Sequence, residues 1–355
     1  MEGLQFATGG LECYRGSGLR QFDFPLMNLF HPFLFGHCLL LAFVPGLSAQ
    51  EPIKEPIKEP VKLPSVAERE KTVRLQVFLD RALFGPGKVD GLPGEFTTKA
   101  TAYYQQAHGL EANGLPDNLA LSPNSPLYTT YTLRAADQQF IGECPSKPVD
   151  QAKKKSLPYD SFQEFISERF HCSTELLAAL NPELRLENLK VDDTLIVPAV
   201  EPFQIEDVRA VASVPEVPDF KNRLVQISRK ERILQLKDGD RLVATFPITP
   251  GSNTLPTPPG KWRLVGIATM PNFRWDEGVL NHGVRTESFF MLPPGPNNPV
   301  GVAWCALSKP GIGIHGTNQP ETIGRASSHG CMRVANWDVI RLVKQLTSNI
   351  PVVIE

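Results

Sequence analysis

The densest concentration of reactive side chains in the sequence runs from His315 to Arg333: His-Gly-Thr-Asn-Gln-Pro-Glu-Thr-Ile-Gly-Arg-Ala-Ser-Ser-His-Gly-Cys-Met-Arg. A free cysteine titrates near about 8.5, so Cys331 needs a base to act as a nucleophile at neutral pH. Histidine is the usual base for that task. Gly330, just before the thiol, leaves room for a substrate carbonyl to approach the backbone. The amides of Gly330 and Cys331 can then stabilise an oxyanion. Arg333 can grip a carboxylate through two parallel bonds. Together these residue types point to acyl transfer through a covalent thioester.

Two elements must position this chemistry. Gly311-Ile-Gly-Ile alternates like a short strand and would carry His315 at its end. Downstream, Val339, Ile340, Leu342, Val343 and Leu346 recur with helical spacing, and Asn336 is the expected N-cap. Cys331 is thus expected in a turn just before a helix. There the exposed amides of the first helical turn would favour a thiolate and a developing oxyanion.

His-Gly-Thr-Asn followed by Ser-His-Gly-Cys-Met-Arg resembles the signature of the L,D-transpeptidase (YkuD-type) catalytic domain. Pro293-Pro-Gly-Pro-Asn-Asn-Pro-Val-Gly301, Thr257-Pro-Pro-Gly260 and Ile350-Pro-Val-Val-Ile354 fit the same resemblance, which covers residues 222–355. It implies Cys331 as nucleophile and His315 as general base, with the Gly316 carbonyl orienting its ring. It places Ser328, His329 and Gly330 as the oxyanion and supporting shell, and Arg333, Thr317 and Asn318 at the acyl-donor side. The implied substrate is a peptidoglycan stem peptide. The implied reaction releases D-alanine and forms a 3-3 cross-link, or attaches a protein amine. Neither a cofactor nor a metal is implied. Met332 stands where isoleucine or valine is common, a mild apolar change.

Upstream, residues 67–122 read as a small helical module. Val73, Leu75, Val77 and Leu79 mark one helix, the turn-rich Gly85 to Gly94 follows, and a second helix starts at Phe96. Leu75-Gln76, Asp90-Gly91, Thr98, Ala102 and Gly109-Leu110 resemble a peptidoglycan-binding module, though Gly91-Leu-Pro-Gly-Glu-Phe96 is longer than that family's turn. Residues 128–200 read as strand, helix, helix, strand. Ser161 and Glu164 mark the start of one helix and Pro182 stops the next. The run through Leu180-Asn-Pro182 to Leu195-Ile-Val-Pro198 resembles a LysM carbohydrate-binding module, with Ile141–Leu157 as an insertion tipped by Lys153, Lys154 and Lys155. Residues 201–221, with Pro202, Pro215 and Pro218, read as a linker.

From residue 222 the chain is expected to be mainly β. Leu224–Ser228, Arg232–Leu236, Leu242–Ile248 and Lys261–Ile267 have strand patterns, and Lys237-Asp-Gly-Asp240 is a hairpin turn signal. Many short strands with one late helix indicate a sandwich or barrel-like fold. The fold class expected for the whole is therefore multidomain: a β-sandwich catalytic domain preceded by a small helical module and a small α+β LysM-like module.

The first 50 residues form an N-terminal extension in which Phe33 to Val44 is apolar and Leu47-Ser-Ala49 offers a small-residue cleavage pattern, as in a secretory signal. Whether the start is Met1 or Met27, and whether the segment is cleaved or stays as a tether, are both open. The expected location is exported: periplasmic or associated with the cell wall. Residues 51–66 begin with a four-residue repeat, Glu-Pro-Ile-Lys, whose prolines forbid a helix and favour an extended spacer. A chain of 355 residues is long enough for two or three domains, and its net charge of -2 gives no general pull toward nucleic acid. Of six cysteines, Cys13 and Cys38 would be lost on cleavage after Ala49, Cys144 and Cys172 could pair in an oxidising compartment, and Cys305 is expected to be a small buried apolar residue.

The same residues also admit other readings. A carboxypeptidase or endopeptidase would use water as acceptor at the same cysteine. A non-catalytic wall-binding protein is disfavoured by the intact Cys and His. Zinc held by His315, His329 and Cys331 is disfavoured because no nearby carboxylate supplies an obvious base. Arg333 also has a structural reading as an ion-pair partner, and His329 is expected to be a hydrogen-bonding rather than proton-carrying residue. His108, His282, Trp275 and Trp304 are read as surface or packing residues.

Overall fold

Burial alternates cleanly along Arg223–Ser228, where every second side chain is inside, and this period of two marks the sheet around which the C-terminal half is built. The computed structural model describes residues 65–355 apart from 326, 327 and 329. The expected signal segment, the Glu-Pro-Ile-Lys repeat and His329 lie outside the described residues. The described residues cluster as one unit.

The helical module comes first. α1 (Val66–Arg81) is opened by Ser65, whose side chain and that of Glu68 cap each other's backbone amides. α2 (Glu95–Ala107) packs against it. In the turn between them, Gln76 binds the Asp90 and Gly91 amides through its carbonyl oxygen and donates to the Asp90 carboxylate.

The second module follows. β1 (Tyr128–Thr132), α3 (Pro148–Gln151), α4 (Phe162–Arg169), α5 (Thr174–Leu180) and β2 (Thr194–Pro198) run in order, and β1 and β2 pair antiparallel over five residues each. Both longer helices are capped by serine: Ser161, as the sequence suggested, accepts from the Glu164 amide, and Ser173 accepts from the Leu176 amide. The stretch 201–221, expected as a linker, is tied down instead. Phe203 and Ile205 are buried in the core, and β3 (Val211–Ala212) pairs with a strand of the main sheet. Its apolar residues have no other surface on which to leave water.

The remaining strands are β4 (Arg223–Ser228), β5 (Ile233–Asp238), β6 (Arg241–Pro247), β7 (Gly260–Thr269), β8 (Phe273–Trp275), β9 (Phe290–Leu292), β10 (Ala303–Leu307), β11 (Gly313–His315), β12 (Met332–Arg333) and β13 (Pro351–Ile354), with helices α6 (Glu277–His282) and α7 (Asn336–Val343). The main sheet has nine strands on a path β12-β11-β10-β7-β13-β4-β5-β6, with β3 beside β7. It is one hydrogen-bonded path whose halves share β7. Residues 260–263 of that strand pair with β13, and residues from 264 onward pair with β10. The hairpin between β5 and β6 turns at Gly239 (φ +60°) and Asp240, where the turn chemistry predicted it.

Candidate active site

β11 and β12 lie side by side in parallel at one end of the sheet, with Ile314 beside Met332 and His315 beside Arg333. Ile314 and Met332 are buried in the core. Strand alternation therefore turns their neighbours, His315 after Ile314 and Cys331 and Arg333 on either side of Met332, to the opposite face. The nucleophile and the base named from sequence share a face because two short strands are in this register. The Cys331 thiol is half-buried and donates to the Gly311 carbonyl at 3.4 Å.

His315 is 6% exposed. Its ring stacks on Trp304, the residue opposite it on β10, with centroids 5.3 Å apart and planes at 16°. Nδ1 lies 2.6 Å from the Gly316 carbonyl oxygen. A carbonyl only accepts, so Nδ1 carries the proton and Nε2 is the basic nitrogen. Burial pushes the imidazole down to about 4; the Arg333 charge adds to this, and the Gly316 carbonyl opposes it. Burial likewise pushes the Cys331 thiol up to about 11, against a smaller opposing contribution from the Gly313 backbone. At neutral pH the resting pair is a neutral thiol and a neutral imidazole.

That electrostatic state differs from the expectation of a thiolate at a helix start. Cys331 leads into β12, and α7 begins only at Asn336. The amides of its first turn are therefore not presented at the thiol by the adjacent chain. Nor does Asn336 cap the helix: Ala335 occupies the N-cap, and no side chain caps it. The Asn336 side chain is fully buried instead.

The supporting residues divide. Ser328 is buried and its hydroxyl donates to the Cys331 carbonyl, closing the turn that delivers the thiol. Gly330 has φ +106°, a conformation that favours glycine. Gly316 is in close contact with Asn336: an added Cβ would come within 2.2 Å of its Oδ1. Arg333 is half-buried, exchanges both backbone hydrogen bonds with Thr249, and has its guanidinium pushed down by burial, against the opposing charge of Glu321. Thr317 and Asn318, expected on the acyl-donor side, follow His315 in the chain beyond β11. The Thr317 hydroxyl accepts from the Gln319 amide, and Asn318 lines a cavity of about 330 Å³ with Lys88, Glu164, Glu168, Glu321 and Trp337.

Among the described residues the other cysteines, Cys144, Cys172 and Cys305, are free thiols. Cys172 and Cys305 are buried and Cys144 is half-buried. Cys305 is an interior β10 residue, as its apolar setting suggested. Trp304, read as a packing residue, packs on the base itself. Nothing but a tryptophan in an alternating strand signalled that stacking.

Residues 222–354 match the family of L,D-transpeptidase catalytic domains (YkuD), and residues 68–121 match a peptidoglycan binding domain. The chain is 30% identical over 179 residues to an L,D-transpeptidase, YkuD, of Bacillus licheniformis, an alignment spanning 50% of this chain and 84% of the relative. It is 28% identical over 178 residues to the Bacillus subtilis protein of the same name, spanning 50% and 83%. Among solved structures, an L,D-transpeptidase from Mycobacterium smegmatis is similar over 38% of this chain and 58% of its own, at 16% identity and a TM-score of 0.31. The chain belongs to the L,D-transpeptidase family, a class of acyltransferases. Its peptidoglycan-binding and transpeptidase domains make peptidoglycan the substrate.

Proposed function

We propose that this protein is a peptidoglycan L,D-transpeptidase that forms 3-3 cross-links through a thioester on Cys331. The observation that carries the reading is the register of β11 and β12, which sets Cys331, His315 and Arg333 on one face. Because the thiol and imidazole are both neutral at rest, proton transfer accompanies attack rather than preceding it. The Cys331 Sγ attacks the carbonyl of the third stem residue, and its proton passes to His315 Nε2. The Gly330 and Cys331 amides receive the oxyanion. The intermediate collapses to a thioester, and His315 returns the proton to the departing D-alanine amine. A second stem amine then attacks the thioester, His315 takes its proton, and the thiol is restored as the peptide bond forms.

The reading extends to the rest of the chain. The 67–122 module holds the enzyme on the wall, and the 128–200 module, whose strand-helix-helix-strand order is that of a LysM-like unit, contacts glycan. The site of action is outside the cytoplasm, and a protein amine is a second class of acceptor.

The test is intact-mass spectrometry of the full chain, wild type and Cys331→Ala, incubated with a disaccharide-tetrapeptide. The expected result is a thioester adduct on the wild type alone, with D-alanine release and a dimeric product. D-alanine release without dimer would move the function to a carboxypeptidase using water. No adduct and no turnover in folded protein would leave a wall-binding protein.

A further inference from the structure

We infer that Glu168, on α4 of the second module, is a positioning residue for the catalytic base, acting through Asn336. The inference rests on His315 as general base. It arises from a buried line of contacts that crosses from one module into the other.

Glu168 is 6% exposed, and its carboxyl accepts from the Tyr159 hydroxyl at 2.7 Å. It also accepts from Asn336 Nδ2, at 3.1 Å to Oε1 and 3.2 Å to Oε2. The same Nδ2 donates to the Pro296 carbonyl at 3.2 Å. With the amide nitrogen held there, Asn336 Oδ1 is fixed on the catalytic side, where it accepts from the Val302 amide at 3.1 Å. Oδ1 also lies against two glycines. A Cβ added to Gly301 would come within 2.0 Å of it, and one added to Gly316 within 2.2 Å. Gly316 supplies the carbonyl that fixes the proton on His315 Nδ1, and its own amide donates to Ala303 on β10.

Each contact constrains the next. Glu168 determines which end of the Asn336 amide faces the catalytic domain. The amide oxygen sets the spacing of the 301–302 and 316 backbones, and the Gly316 carbonyl sets the tautomer and ring angle of His315. Without Glu168, the Asn336 NH₂ loses a buried acceptor and the amide can turn, presenting a donor to the Val302 amide. Burial pushes the Glu168 carboxyl up to about 8, against the Tyr159 and Asn336 hydrogen bonds, so an uncharged acceptor suffices at this position. This is why glutamine is the informative substitution.

The experiment uses the full chain and measures kcat and KM for D-alanine release from a disaccharide-tetrapeptide, with thermal melts of each variant. Glu168→Asp, which withdraws the carboxyl by one methylene, is expected to lower kcat about tenfold. Glu168→Leu is expected to lower it on the order of 10²-fold, as for an ångström-scale misplacement remote from the chemistry. KM should stay within about twofold in both, and Glu168→Gln should recover kcat to within about threefold of wild type. Wild-type kcat in a folded Asp or Leu variant overturns the inference. So does a kcat in Glu168→Gln as low as in Glu168→Leu, which would mark a structural or charge role. His315→Gln separates the two levels: if it retains wild-type turnover, the base assignment falls first. If it is inactive while Glu168→Asp and Glu168→Leu are fully active, only the positioning role falls.

Discussion

Two histidines in this molecule have nearly the same surroundings and are set for different tasks. His315 and His171 are both buried, at 6% and 0% exposure. Each stacks on a tryptophan, Trp304 at 5.3 Å and Trp337 at 5.1 Å, with planes at 16° and 15°. Each ring is pushed down to about 4, chiefly by burial. They differ in what Nδ1 meets and in what lies beyond. His315 meets a backbone carbonyl and shares a sheet face with a thiol. His171 meets the Asp80 carboxylate at 3.0 Å, and Asp80 also takes two bonds from Arg341 on α7, at 2.9 and 3.0 Å. Burial raises the Asp80 carboxyl, but His171 and Arg341 together more than reverse this and hold it low. Burial, stacking and a shifted titration therefore do not identify a catalytic histidine. What sets His315 apart is the thiol on its sheet face, and His171 instead joins α1, the second module and α7 at one buried point.

The largest effect should separate the two rings by turnover. His315→Gln and Cys331→Ala should each lower kcat on the order of 10³-fold or more, since the pair acts as a unit. His171→Asn, chosen because asparagine tolerates the φ of +53° found there, should stay within about tenfold. D-alanine release measures both, and a folded His171→Asn that is as inactive as His315→Gln would erase the distinction.

Next in size is stability at the junction. Arg341→Met leaves the buried Asp80 without its guanidinium and should cost about 3–5 kcal/mol in urea unfolding. A loss near zero would mean that Asp80 gains nothing from the pair.

The pH dependence concerns both rings. In the unfolded chain an imidazole charges as pH falls through its ordinary value of 6.5, whereas these two stay neutral down to about 4. The unfolded state thus binds more protons in that interval. Stability is fully present above about 6.5 and is lost progressively as pH falls toward 4. Melting temperature should follow that course, and His171→Asn should flatten part of it. An unchanged slope in that variant would assign the effect to His315 and the carboxylates.

The smallest effect is on the thiols. With Cys331 pushed up to about 11, its alkylation by iodoacetamide should keep rising through about pH 10, and the buried Cys172 and Cys305 should remain unmodified in folded protein. A plateau near neutral pH would mean a thiolate–imidazolium pair at rest.

How much of this was legible in the sequence depends on how local the signal was. The serine caps at 65, 161 and 173 and the turn at Gly239 are set by residues within a few positions of one another, and each could be read directly. The thiol and the histidine proposed as its base could be singled out because glycine, cysteine and histidine at that spacing have few other uses. Asn336 was misplaced because an asparagine before an apolar helical pattern is ordinarily a cap. Its actual partner, Glu168, is 168 positions away, and nothing local announces it. The segment 201–221 misled for a similar reason. Its prolines signal a linker, whereas Phe203 and Ile205 are held by surfaces contributed from elsewhere. The thiol's raised pKa was also out of reach, since it depends on burial by the assembled sheet rather than on the helix that follows.

One feature of the sheet also governs when the structure can form. β13 lies between β4, with which it runs parallel, and β7, with which it runs antiparallel. The neighbour they share is supplied only by residues 351–354, although β4 begins at residue 223. The two halves of the sheet meet on β7, and the half built on β4, β5 and β6 reaches it only through this last strand. Closing so long a loop carries an entropic cost before any contact rewards it. Folding should accordingly be slow and late, and a chain truncated before residue 351 should expose two unpaired strand edges and aggregate rather than fold to a weaker enzyme.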